Sequence, residues 1–290
     1  MKYRPSPPFR LFRRFLTSIE ANGIREAFAH SYRRLFRSLK KNGLAGTFRI
    51  AFVQTTPEAE PTAVICDESH PFDKRHGTDT SGFIGTGRMA AVSLSALHGT
   101  AYVGTPASTM RQAFAALPIR HEEFTFVDIG CGKGRALLVA SEFPFRRIVG
   151  VELAIEMAQI ARANVALNPA WKERISIVNE DALSYQFPDG PIVLFLFHPF
   201  SSTFLRRFLT KLERQFRRSP RTAFLIDTDS YSADVVAVYS DTPGYRATLT
   251  SFPFLREVSD WVFPISAEEA AVEPSGGTMT RYTIFSVEMP

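Results

Sequence analysis

The chain has 290 residues, of which 45% are hydrophobic and 22% charged, the balance of a globular protein long enough to bury a core. Its two cysteines, Cys66 and Cys131, are too few for a disulfide framework or a thiolate zinc site. Its longest apolar run, Ile192–Phe197, falls far short of the ~20 residues that span a bilayer. A reducing, cytoplasmic setting without a transmembrane segment is expected.

The formal net charge of +5 is unevenly placed, because residues 1–50 carry twelve Lys/Arg against only Glu20 and Glu26. Residues 1–56 read as a basic amphipathic helical arm. Phe12, Phe15, Leu16 and Ile19 recur at helical spacing, and Ile24, Phe28, Tyr32, Leu35, Phe36 and Leu39 repeat the pattern. Asn22-Gly23 and Asn42-Gly43 punctuate the two stretches as helix ends do. Arginines interleaved with phenylalanines can hold RNA phosphates, so the arm 1–50 is a candidate RNA contact. The same helices suit an anionic membrane surface, a targeting segment, or plain packing with arginine outward.

Residues 57–120 read as a linker and capping segment. Pro57–Pro71 is rich in Pro, Thr and acids, Phe72–Gly82 and Tyr102–Pro106 are loop-like, and Met110, Phe114 and Leu117 mark a helix. From residue 121 to 290 strands and helices alternate. Phe124–Ile129, Arg147–Val151, Ile175–Val178, Ile192–Phe197 and Thr222–Ile226 read as strands, with helices at Arg135–Glu142, Ala154–Leu167 and from Ser201/Ser202 to about Arg218. Asn168-Pro169 is read as a helix stop. Tyr245–Phe252 and Arg281–Val287 are expected to close the sheet as an antiparallel pair. This rhythm predicts an α/β fold, an open doubly wound and mostly parallel sheet, following the N-terminal basic helical arm.

The chemistry concentrates where the first strand hands over to a helix, in Asp128-Ile129-Gly130-Cys131-Gly132-Lys133-Gly134-Arg135. Glycines there let backbone approach a ligand and turn into the helix. A phosphate-binding P-loop needs four residues before its Gly-Lys pair and a Ser or Thr after it, and a dinucleotide fingerprint places its third glycine one residue later. Asp128 at the carboxyl edge of the sheet disfavours phosphate and suits a cationic ligand such as S-adenosylmethionine, which carries an ammonium, a sulfonium and no phosphate. Glu152 ends the next strand, where a carboxylate accepts both hydroxyls of an unphosphorylated ribose. Asn179-Glu180-Asp181-Ala182 follows the third strand, where a carboxylate beside backbone amides can bond an adenine edge.

Asp128–Gly134, Val149-Gly150-Val151-Glu152 and Glu180-Asp181-Ala182 resemble, in order and spacing, the cofactor motifs of class I, Rossmann-like S-adenosylmethionine-dependent methyltransferases. The resemblance runs from about Phe114 to Phe224. With Arg146–Glu152 and Gly77-Thr78-Asp79-Thr80, it leans toward a group of uncharacterised bacterial methyltransferases and, more remotely, toward the non-SET histone lysine methyltransferases. It implies that the loop with Asp128, Gly130, Gly132 and Gly134 holds the methionine moiety, Glu152 the ribose, and Asp181 with Ala182 the adenine. Thr78, Asp79, Thr80, Thr100 and Tyr102 fall in a region that often folds over the cofactor in this class, and Tyr102 is taken as a cofactor contact.

Phe197-His198-Pro199-Phe200 stands where this class places its acceptor side. It partly resembles the Asn/Asp-Pro-Pro-aromatic motif of amino-group methyltransferases, but begins with His and lacks the second Pro. His198 is a candidate general base and cofactor contact, or a histidine bonded to backbone at a strand end. The six histidines show no metal-ligand spacing, so no metal site is expected. Methyl transfer from a sulfonium by in-line displacement asks the protein mainly to align the nucleophile and exclude water, which leaves a protein amino group, RNA or a small molecule open as acceptor. A cofactor-binding sensor or scaffold without catalysis and, less well fitted by the glycine spacing, an NAD-dependent oxidoreductase stand as alternatives.

Overall fold

The computed structural model describes residues 70–82, 84, 99–100, 102–230, 242–272 and 277–289. The arm 1–56 and the first part of the capping segment lie outside the described residues. The described elements, in chain order, are α1 (Pro71–His76), α2 (Ala107–Ala116), β1 (Thr125–Ile129), α3 (Arg135–Ala140), β2 (Arg147–Glu152), α4 (Ile155–Ala166), α5 (Pro169–Arg174), β3 (Ile175–Asn179), β4 (Ile192–Leu196), α6 (Ser202–Arg218), β5 (Ala223–Ser230), α7 (Thr242–Thr250), β6 (Leu255–Pro264), α8 (Ala267–Ala270) and β7 (Met279–Val287).

The strands form one sheet in the order β3-β2-β1-β4-β5-β7-β6. β1 to β5 run parallel, and β7 is antiparallel to both of its neighbours. The chain winds outward from β1 in one direction and from β4 in the other, so the order reverses between these two strands. At such a reversal the helices leave on opposite faces, and a crevice opens at the carboxyl ends.

β1 and β4 are buried at every residue, as strands covered on both faces must be. Their alternate side chains divide between two cores. Val127, Ile129, Leu194 and Leu196 pack with α6 residues such as Phe208 and Leu212, while Phe126, Val193 and Phe195 pack with Met110, Phe114 and the α3 leucines. α6 buries Phe204, Leu205, Phe208, Leu209, Leu212 and Phe216 along one stripe, each contributing roughly 1.5–3 kcal/mol by removal from water. Ser201 starts that helix by accepting a bond from the Phe204 amide.

Three sequence expectations are corrected. Tyr245–Phe252 is not a strand: Tyr245 and Leu249 sit one turn apart and are buried together on α7, and the closing partner of β7 is β6. Asn168-Pro169 does more than stop α4, since the Asn168 side chain caps the Ala170 amide and Pro169 opens α5. Phe72–Gly82 begins in a short helix, α1, whose start is capped by His70. Among the described residues no helix is long and apolar enough to cross a membrane.

Candidate cofactor and acceptor cleft

At the carboxyl ends of β1, β2 and β4 lies a cleft of about 1090 Å³, its open mouth included. Asp128, Gly130, Gly132, Glu152, Asp181, Ala182 and Tyr102 all line it, which gathers residues from β1, β2, the turn after β3 and the capping segment. Gly134 and His198 do not line it. Gly134 sits beneath, where a Cβ would come within 3.3 Å of Ala161, so it serves the packing of α3 on α4.

Asp128 is 3% exposed. Its carboxyl receives no hydrogen bond from the described residues, and burial, with Glu152 nearby, pushes its pKa well above the carboxylate range. A buried carboxylate without a donor that opens on a cleft is suited to a cationic group from the ligand. Glu152 is buried as well. Its two oxygens accept the amides of Gly132 and Ala154, each at 2.8 Å; burial raises its pKa, and these amides oppose that rise. One amide per oxygen fixes the carboxylate and leaves lone pairs for two hydroxyls.

The glycine loop is held from above. Tyr102 lies so close over Gly132 that a Cβ there would stand 2.2 Å from the ring, and the Tyr102 hydroxyl donates to the Thr80 carbonyl at 2.7 Å. Pro199 approaches Gly130 from the other side, where a Cβ would stand 2.5 Å away. Asp181 accepts the Leu183 amide through one oxygen, which shapes the turn that presents Ala182. Leu153, Met157, Phe195, Phe197, Phe200 and Phe204 supply apolar wall.

Two buried cations, Lys133 and Arg135, carry the capping segment, and neither stood out in the sequence because such residues are ordinarily exposed. Arg135 is 3% exposed and donates to the Thr80 hydroxyl and carbonyl, the Ser81 hydroxyl and the Gly104 carbonyl. Asp73 stands 3.9 Å from it and accepts from Thr78, Thr80 and Ser81. Lys133 reaches Asp79 at 2.5 Å and the Ser81 carbonyl at 2.8 Å. Asn164 of α4 exchanges bonds with the Asp79 backbone and also donates to the Lys133 carbonyl. Thr78, Asp79 and Thr80 therefore clamp the loop and do not line the cleft. The signal was the polar run Thr78–Ser81 itself, whose partners Lys133, Arg135 and Asn164 are more than fifty residues away.

The acceptor side departs from the sequence expectation. His198 is the one non-glycine residue with positive φ among those described, at 41°, and its ring turns into the protein against Tyr245, centroids 4.4 Å apart. Its Nε2 stands 3.9 Å from Asp227, too far for a hydrogen bond. Burial holds its pKa down to about 4. A neutral, enclosed imidazole that does not face the cleft is not placed to take a proton from an acceptor. What His198 contributes to the cleft is backbone: its carbonyl accepts from the Thr100 hydroxyl, and the Pro199 carbonyl accepts the Thr100 amide at 3.4 Å.

Known proteins match part of this chain. The model of the methyltransferase domain family matches residues 126–218. The tRNA1(Val) (adenine(37)-N6)-methyltransferase of Bacteroides thetaiotaomicron is 42% identical over 65 residues, covering 22% of this chain and 27% of that protein. The enzyme of the same description from Yersinia pestis is 42% identical over 78 residues, 26% of this chain and 30% of that protein. The chain thus spans less than a third of the length of these curated relatives. Among solved structures, the YcgJ protein from Bacillus subtilis superposes on 63% of this chain and 99% of its own, at 15% identity and a TM-score of 0.45. Residues 126–218, from β1 through α6, thus match the methyltransferase domain family, and their strand order and glycine loop resemble those of class I, Rossmann-like S-adenosylmethionine-dependent methyltransferases.

Proposed function

We propose that this chain binds S-adenosylmethionine in the cleft and directs its methyl group to a base of an RNA. The observation that carries the cofactor reading is Asp128, a buried carboxylate with no donor among the described residues, facing a cleft that Glu152 also lines. The residues fit the group: Asp128 toward the ammonium, the Gly130–Gly132 backbone along the methionine, Glu152 toward the ribose hydroxyls, and Asp181 with Ala182 toward the adenine edge. When bound, the sulfonium supplies an activated methyl and a good leaving group. The chain's own part is to hold the acceptor in line and keep water out.

The RNA reading draws on two features. The relatives matched over part of the chain are described as tRNA methyltransferases, and the acceptor end of the cleft is walled by Phe197, Pro199, Phe200 and Phe204, flat surfaces on which an unstacked base can lie. A second reading, cofactor binding without turnover, is favoured by one observation: the His198 ring is turned away, and Thr100 already occupies the His198 and Pro199 carbonyls.

Calorimetry with S-adenosylmethionine and S-adenosylhomocysteine tests the cofactor. Micromolar binding that weakens in Asp128→Asn and Glu152→Gln is expected, and no binding by the full chain would overturn it. Incubation with tritiated S-adenosylmethionine and fractionated lysate tests the acceptor. Label in RNA nucleosides is expected, label in protein would move the acceptor class, and binding without label in any fraction would favour the sensor.

A further inference from the structure

α6 leaves the cleft wall directly. Phe200 and Phe204 line the cleft, Ser201 caps the helix, and seventeen residues follow to Arg218. Its sequence holds Arg206, Arg207, Lys211, Arg214, Arg217 and Arg218 against a single acid, Glu213. Arg207, Lys211, Arg214 and Arg218 recur at i, i+4, i+7 and i+11, which puts them in one stripe along the helix. Glu213 lies off that stripe and pairs with Arg217 at 2.9 Å. Arg207, Arg214 and Arg218 are exposed, and Arg214 and Arg218 have no carboxylate within ion-pair distance among the described residues. Lys211 donates to the Ala182 carbonyl at 3.0 Å and to that of Tyr185, so the stripe meets the turn that lines the cleft.

We propose that this stripe is the track for the phosphate backbone of an RNA strand whose base enters the cleft. The inference rests on the RNA reading above and names the surface that would serve it. From Arg207 to Arg218 the stripe is about 16 Å long at ~1.5 Å per residue, room for several phosphates at the ~3.4 Å rise of a stacked strand. A membrane surface fits poorly. Every large apolar residue of α6 faces the core, and none remains on the basic side to enter lipid. Arginine, which dominates the stripe, forks onto phosphate oxygens in a way lysine does not.

The test compares two double variants of the full chain that remove the same charge. Arg214→Gln/Arg218→Gln lies on the stripe, and Arg147→Gln/Lys172→Gln changes exposed residues of β2 and α5. Binding of a short mixed-sequence single-stranded RNA is followed over a salt series. The stripe variant is expected to bind at least about tenfold more weakly at low salt, with a log–log salt slope shallower by about 1.4, at about 0.7 per lost contact; the control keeps the parent slope. Equal losses in both variants, or an unchanged slope in the stripe variant, would overturn the proposal. So would parent-level RNA binding by the stripe variant together with lost binding to phosphatidylglycerol vesicles. Calorimetry with S-adenosylmethionine on both variants separates this failure from that of the cofactor reading: an unchanged titration leaves the cleft intact whatever the RNA result.

Discussion

On the β1–β2 side of the cleft the buried cations Lys133 and Arg135 have their acceptors, and the Glu152 carboxylate is bonded through both oxygens. On the β4–β5 side, Asp227 Oδ1 and the Tyr245 hydroxyl are buried with no hydrogen-bond partner among the described residues, and His198 stands beside them in a left-handed backbone conformation. One wall is specified by polar bonds and the other by packing. The contrast teaches that the β1–β2 wall is preorganised in polar detail, whereas the wall after β4 is a shape with little polar instruction.

The largest effect expected is on the polar wall. Arg135→Ala removes the guanidinium that satisfies Thr80, Ser81 and Gly104 and leaves Asp73 without its cation, a change that should cost roughly 3–5 kcal/mol. Denaturant unfolding measures it as a lower midpoint, and a loss under about 1 kcal/mol would show that the clamp is not what holds this side.

The packed wall should respond to acid instead. His198 has a folded pKa of about 4, below the ordinary ~6.5, so the unfolded chain takes the proton first. Stability is then full above pH ~6.5 and is lost as pH falls toward 4, by up to about 3 kcal/mol at 1.36 per unit. Asp227 acts in the opposite sense, because burial raises its pKa. The difference between the parent and His198→Asn, which tolerates positive φ, isolates the imidazole: the variant should lack part of the acid loss, and parallel pH profiles would refute this.

Asp128→Asn should separate stability from binding. Burial destabilises the ionised carboxylate in the fold, since its pKa is raised; that penalty is absent at low pH and grows as pH rises through the unfolded pKa. The amide removes it, so the free protein should melt higher near neutrality while S-adenosylmethionine binds about tenfold more weakly, ~1.4 kcal/mol. Melting curves with and without cofactor check both signs together. The smallest effects come from two hydroxyls. Tyr102→Phe loses a bond to the Thr80 carbonyl and should cost about 1 kcal/mol, whereas Tyr245→Phe loses an unpaired hydroxyl and should cost nothing measurable or stabilise slightly. Equal costs would erase the distinction between the walls.

The sequence carried the parallel half of the fold well, because doubly buried strands such as Ile192–Leu196 leave long apolar runs and the glycine spacing excludes competing loops. It carried the far edge poorly. β6 is an edge strand with mostly exposed or half-exposed side chains, so Leu255–Pro264 lacks an apolar alternation, while Tyr245 and Leu249, four apart, fit a strand or a helix equally until packing decides. Within the cleft, the lining residues Asp128, Gly130, Gly132, Glu152, Asp181 and Ala182 were legible from local motifs. The clamp was not, because Asp73, Lys133 and Arg135 acquire their meaning only when residues far apart in sequence meet. His198 misled for the same reason: its partners lie on β5 and α7.

Thr100 belongs to no strand of the sheet, yet it holds the two carbonyls that set the acceptor wall, and Gly99 bridges to Phe200 beside it. Over evolutionary time, substitutions in that short segment can reshape which molecules are admitted while the scaffold beneath is inherited unchanged. Selection for a new substrate would then be sought upstream of β1, not among the strands.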